Sequence, residues 1–90
     1  MIDDSNKNTL AFCIEFIRTH FREHSQQAQC RTWLKTAISI LENAPEVSSG
    51  NFIISEMTDI DKWLAGSDSK STSEDMFSKL DMIDTLLKDI

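Results

Sequence analysis

The chain has 90 residues, 40% hydrophobic and 27% charged, with a formal net charge of −6. That length gives one domain with one core, and the composition is far from the weakly hydrophobic, highly charged chains that stay disordered. Two Gly and one Pro are too few for the many tight turns of a sandwich or barrel, so the balance leans helical.

The opening residues, Ile2 to Asn8, are polar and include Asp3, Asp4 and Lys7, unlike the apolar segment of a secretory signal. No hydrophobic run approaches the ~20 residues of a membrane span. Two cysteines make no disulfide scaffold and fit a reducing compartment. A cytoplasmic location is expected.

Helix 1 is predicted over about 7–24, because Leu10, Ile14, Ile17 and Phe21 recur at the three-to-four spacing of one helix face. Phe12 and Phe16 lie nearly opposite Ile14 and widen the apolar arc to roughly 200°, against the ~100° stripe that an outer bundle helix needs. Helix 1 is therefore either central, its far side packed on helix 3 or 4, or the bearer of a second contact surface. Its junction with helix 2 holds neither Gly nor Pro. The break is placed near Ser25, with one long bent helix as the alternative.

Helix 2, over about 26–44, carries Cys30, Leu34, Ala37, Leu41 and Ala44 on one face. It stops before Pro45, which lacks an amide and disfavours helical geometry at Ala44. Helix 3, over about 51–65, uses Ile53, Met57, Ile60 and Leu64, with Asn51 as N-cap and Gly66 in the left-handed position after its end. Residues 66–73 (GSDSKSTS) read as a flexible surface loop. Helix 4, over about 72–89, uses Met76, Leu80, Ile83, Leu87 and Ile90. Ser71-x-x-Glu74 has the spacing of a capping box, and Glu74 and Asp75 favour the positive helix start. No stretch alternates with a period of two. The expected fold is all-α, a compact four-helix bundle spanning residues 1–90. A three-helix core with a loosely packed or swapped fourth helix is the alternative.

Candidate chemistries are thin. His20 and His24 are spaced i, i+4 as two helix-borne metal ligands would be, but zinc needs three or four ligands and only Cys30 is near. Surface histidines are expected, and no metal. Cys13 and Cys30 would be offset by about 10 Å along a helical hairpin, too far for a disulfide, so both should be buried thiols. Asp59-x-Asp61 runs straight into Trp63-Leu64 and forms no calcium loop. Paired catalytic carboxylates need a pocket that shifts their pKa values, and a chain of this size has little volume for one. The serines and Thr72 of residues 67–73 beside Glu74 and Asp75 resemble an acidic-directed kinase site, but the capping box already accounts for them. Gly50 and Gly66 stand alone, so there is no phosphate-binding loop.

Charge is divided unevenly. Residues 1–45 hold five basic and five acidic groups, and residues 46–90 hold four basic and ten acidic, so the excess of −6 lies wholly in the second half. Such a field repels nucleic acid and anionic membranes and steers basic partners. The expected function is a non-enzymatic protein-binding module without cofactor: a small acidic regulator, adaptor or neutralising partner. An apolar patch would supply affinity and an acidic face would supply steering. The expected contact residues are Phe12, Phe16, Trp63, Asp59, Asp81 and Asp84. Trp33 and Trp63 sit at the edges of their apolar faces, placed to close the core. The partner is expected to be another protein, basic where charge steers it. A structural homodimer with Phe12 and Phe16 between copies is the alternative, and a metal-binding or enzymatic role ranks last.

Overall fold

The computed structural model describes residues 2–90 and contains four α-helices: α1 (Asp4–His20), α2 (Gln27–Glu42), α3 (Gly50–Leu64) and α4 (Ser73–Leu87). They pack in a ring, α1 and α3 each lying between α2 and α4. Neighbours run antiparallel. Arg18 meets Asp81 on α4, whereas the earlier Lys7 and Leu10 lie beside Leu87 and Lys88. Likewise Trp63 meets Ser71, whereas the earlier Glu56 meets Lys79. The fold is an all-α, up-down-up-down four-helix bundle of 36 × 21 × 19 Å. The fourth helix is an integral wall of it: Met76, Leu80 and Ile83 are fully buried.

The apolar periodicity of each helix becomes the core. Every residue of the four predicted stripes is buried except Leu64, Leu87 and Ile90, and Cys13 joins them. Leu64 and Leu87 are the last residues of α3 and α4, and Ile90 lies just past α4; all three are half-buried. No polar or charged residue is fully buried among the described residues, and the one buried side-chain polar atom without a partner there is Arg18 Nε, at the α1–α4 seam, so little offsets the hydrophobic gain of the interior.

Capping chemistry moves several of the predicted boundaries. α1 begins three residues early because Asp3, in extended geometry, accepts a hydrogen bond from the Asn6 amide at 2.8 Å and caps it. It ends at His20 and not near residue 24. Phe21 turns inward and is fully buried, and the Gln27 side chain donates to the freed Phe21 carbonyl at 3.2 Å. Ser25 sits in a short 3-10 turn, His24–Gln26, that leads into α2, so α1 and α2 are separate helices and the break lies at residues 21–23. α2 stops at Glu42, where the Asn43 side chain donates to the Ser39 carbonyl at 2.9 Å. The stop thus precedes Pro45 by three residues.

Asn51 is not the N-cap of α3. It is an exposed residue inside the first turn, and Ser49 occupies the cap position without a side-chain bond. The capping box of α4 is shifted by one residue. Thr72 accepts from the Asp75 amide at 3.2 Å, and Asp75 accepts from the Thr72 amide at 2.9 Å, replacing the predicted Ser71 and Glu74. Gly66 behaves as its position implies. At φ +81° it donates to the Trp63 carbonyl while Ser67 donates to that of Lys62, the paired bonds of a Schellman motif.

Candidate interaction surface

α1 uses only part of its wide apolar arc against the core. Leu10, Cys13, Ile14 and Ile17 point inward and are fully buried or nearly so. Phe12 and Phe16 face away from them, over the seam with α2. Neither α3 nor α4 covers them, which decides against the alternative in which α1 is the central helix. Phe12 instead stands edge-on to Trp33 of α2 at 5.0 Å between ring centroids. Phe16 lies 6.3 Å from both Phe12 and Trp33 and 4.6 Å from the His20 ring. Phe16, His20 and Trp33 are half-buried, while Phe12 remains 53% exposed, more than any other large hydrophobic residue of the described chain.

The rings are edged mainly by threonines, with Glu15 and Lys35 on the outer flanks and the His20–Glu23 pair at one end. Thr9, Thr19, Thr32 and Thr36 flank them, and each threonine hydroxyl donates to the carbonyl four residues back, at 2.9–3.2 Å. Their donors are therefore spent within the helix, and their methyl groups remain for the surface. Beyond Trp33, Thr36 and Ile40 continue the stripe along α2 with Thr32, Lys35 and Ser39 on its outer side. The rings form contacts of the geometry that aromatic pairs prefer, but one side of the cluster stays wet.

The other three seams are closed by charge. Arg18 pairs with Asp81 and Asp84 between α1 and α4. Arg31 donates to Asp61 at 2.9 Å between α2 and α3. Lys79 lies 2.6 Å from Glu56 and 3.7 Å from Asp59 between α4 and α3. The hydrogen bond to Glu56 is the main cause raising the Lys79 ammonium above its ordinary pKa. Asp59, Asp81 and Asp84 are thus each occupied by a cation of the same chain, with Lys88 a second one for Asp84 at 3.3 Å. Among the described residues no ion pair joins α1 to α2.

Trp63 serves the fold. Its indole Nε1–H donates to the Ser71 carbonyl at 3.0 Å, and its ring packs on Phe21 at 6.0 Å, tying residues 65–72 to the bundle end. The same end carries a group that the sequence reading passed over. Phe77 stacks on Phe21 at 6.4 Å, with the Arg18 and Arg22 guanidinium carbons 5.6 and 5.3 Å from its ring centroid. Only the antiparallel register of α1 and α4 brings these residues together; nothing in their spacing along the chain announces it. Phe52 and Met82, also exposed, lie apart from both clusters.

The remaining candidates separate. α1 ends at His20, so His24 belongs to the 3-10 turn and the two no longer share a helix face. His20 Nδ1 bonds the Glu23 carboxylate instead. Cys13 and Cys30 are free and fully buried. Burial pushes both thiols up to about 11, with the Glu23 charge adding to the effect at Cys30. No helix among the described residues is long and apolar enough to cross a membrane. No protein-family model matches the sequence, and neither a curated protein nor a solved structure matches it.

Proposed function

We propose that this chain is a protein-binding module, a small acidic adaptor or neutralising partner, and that it binds through the α1–α2 face built on Phe12, Phe16 and Trp33. The observation that carries the proposal is the placement of Phe12, 53% exposed on a helix whose core stripe is complete without it. An aromatic ring contributes about 1.5–3 kcal/mol when fully buried, and here that gain is left for a partner. Grouped rings with a polar, threonine-rich rim have the composition of an interface centre.

The acidic half of the chain supports steering in place of affinity. Its carboxylates at Asp59 and Asp81 are 48% and 62% exposed although paired, so they project a field without being free of their own cations. A basic protein approaching α3 and α4 gains association rate from that field.

Affinity capture with the tagged chain tests the face. A protein retained by the wild type and lost by Phe12→Glu, but kept by Met82→Glu on the other side of the bundle, is the expected outcome. Equal retention by Phe12→Glu, with an unchanged helical circular dichroism spectrum, removes the face from the function.

A further inference from the structure

We infer that the occupant of the α1–α2 face is a second copy of this chain, forming a two-fold dimer with the acidic α3–α4 sides outermost. The inference rests on that face being the binding surface, and three observations favour self-association over a foreign partner.

The first is the division of charge. The half of the chain that contains α1 and α2 holds five basic and five acidic groups, whereas the half with α3 and α4 carries the whole excess of −6. Two copies meeting through α1 and α2 keep the two acidic α3–α4 sides, which carry that excess, apart. Any other pairing of the four walls brings at least one acidic wall into contact, where like charges oppose association.

The second is the low desolvation cost of the rim. The hydroxyls of Thr9, Thr19, Thr32 and Thr36 already donate within their own helices. Covering them strands no donor, so the surface needs no complementary acceptors from a specialised partner. One long side of the bundle, 36 by 21 Å, is also close to the ~800 Å² that each partner gives to a standard interface.

The third is self-complementarity at the edges. Glu15 on the outer flank of α1 and Lys35 on the outer flank of α2 are both exposed, and among the described residues neither enters an ion pair. A two-fold axis parallel to the helices sets α1 of one copy on α2 of the other. Each aromatic cluster then meets its twin, and Glu15 of each copy lies on the side of Lys35 of the other.

Sedimentation equilibrium of the full chain tests this. The expected mass is twice the 10.3 kDa of the chain, with a dissociation constant in the micromolar range. Phe12→Glu, present in both copies, weakens the dimer about 100-fold or more. Lys35→Glu weakens it several-fold, and adding Glu15→Lys restores it; both sites are exposed, so this arm survives if Phe12→Glu fails to fold. A wild-type chain that stays monomeric up to about 1 mM overturns the dimer. A dimer indifferent to both Phe12→Glu and Lys35→Glu also overturns it, by placing the contact elsewhere. Either result leaves the binding role of the face to the capture experiment, in which a different protein retained in a Phe12-dependent way upholds the face without the dimer.

Discussion

Arg18 follows the buried Ile17 on α1 and sends its guanidinium across to α4, where it lies 3.1 Å from Asp81 and 3.4 Å from Asp84. The same group lies 5.6 Å from the Phe77 ring centroid, and its Nε is buried without a hydrogen-bond partner. One side chain therefore combines two part-exposed ion pairs, a cation–π contact and an unsatisfied donor. Arg18→Met retains most of the apolar stem and removes the charge. It is expected to cost about 1 kcal/mol, since exposed pairs contribute ~0.2–1 kcal/mol each and relief of the orphaned Nε offsets part of the loss. Arg18→Ala, which also strips the stem from the seam, should cost about 2 kcal/mol. Urea unfolding at low and high salt checks both, and the Arg18→Met deficit should shrink as salt screens the pairs.

Thr72 and Ser71 separate the observed cap from its neighbour. Thr72→Ala removes the oxygen that accepts from the Asp75 amide and should cost about 1 kcal/mol. Ser71→Ala leaves that bond intact, keeps the carbonyl that accepts from Trp63, and removes only a hydroxyl contact to Asp68 in the preceding turn. Its effect should stay within about 0.5 kcal/mol. Thermal melts of the two variants distinguish them, and equal losses would mean that the box is not centred on Thr72.

The two glycines are expected to respond to alanine with opposite signs. At Gly66 no atom stands within 4 Å of an added Cβ, but φ is +81°, so Gly66→Ala should destabilise by about 1 kcal/mol through backbone strain. At Gly50, the first residue of α3, an added Cβ would meet Val47 Cβ at an ordinary 3.8 Å. Gly50→Ala should stabilise by up to about 0.5 kcal/mol, because alanine loses less backbone entropy on entering a helix. Denaturant midpoints at constant slope test both signs.

Cys13 and Cys30 set an alkaline limit. Each thiol has a folded pKa of about 11, raised first by burial, against an ordinary value of 9.0. The folded state holds these protons more tightly than the unfolded state. The associated stability is thus fully present below pH 9 and is lost as pH rises from there through 11. Melting temperature should fall across that window, and the Cys13→Ser/Cys30→Ser pair cannot show this fall by thiol ionisation. Alkylation at pH 8 should follow global unfolding, not the free-thiol rate.

The helices themselves were legible because a helix is a local structure. Leu10, Ile14, Ile17 and Phe21, or Met76, Leu80 and Ile83, need only their own spacing to define a face, and that face is what became buried. Cap choices were less legible. Ser71-Glu74 and Thr72-Asp75 have the same spacing and the same chemistry, but Ser71 is tied into the preceding turn by Asp68 and Trp63, and Thr72 takes the cap. The end of α1 was hidden for a similar reason: Phe21, the C-cap still bonded to the Ile17 carbonyl, fills the bundle end with Trp63 and Phe77 before the chain turns away, and no residue near it breaks helices.

For Phe12, the sequence by itself determined that its ring lies off the core stripe of α1, since that follows from helical periodicity alone. It also determined an all-α chain with a single core and an acidic second half. Which wall would face Phe12 was decided only by tertiary structure, through the ring order in which α1 touches α2 and α4 but is separated from α3. The same order assigned Asp59, Asp81 and Asp84 to cations of their own chain. Ion pairs and aromatic contacts between helices depend on register and neighbour order, and these are set by packing the whole bundle, to which no single segment of the sequence has access.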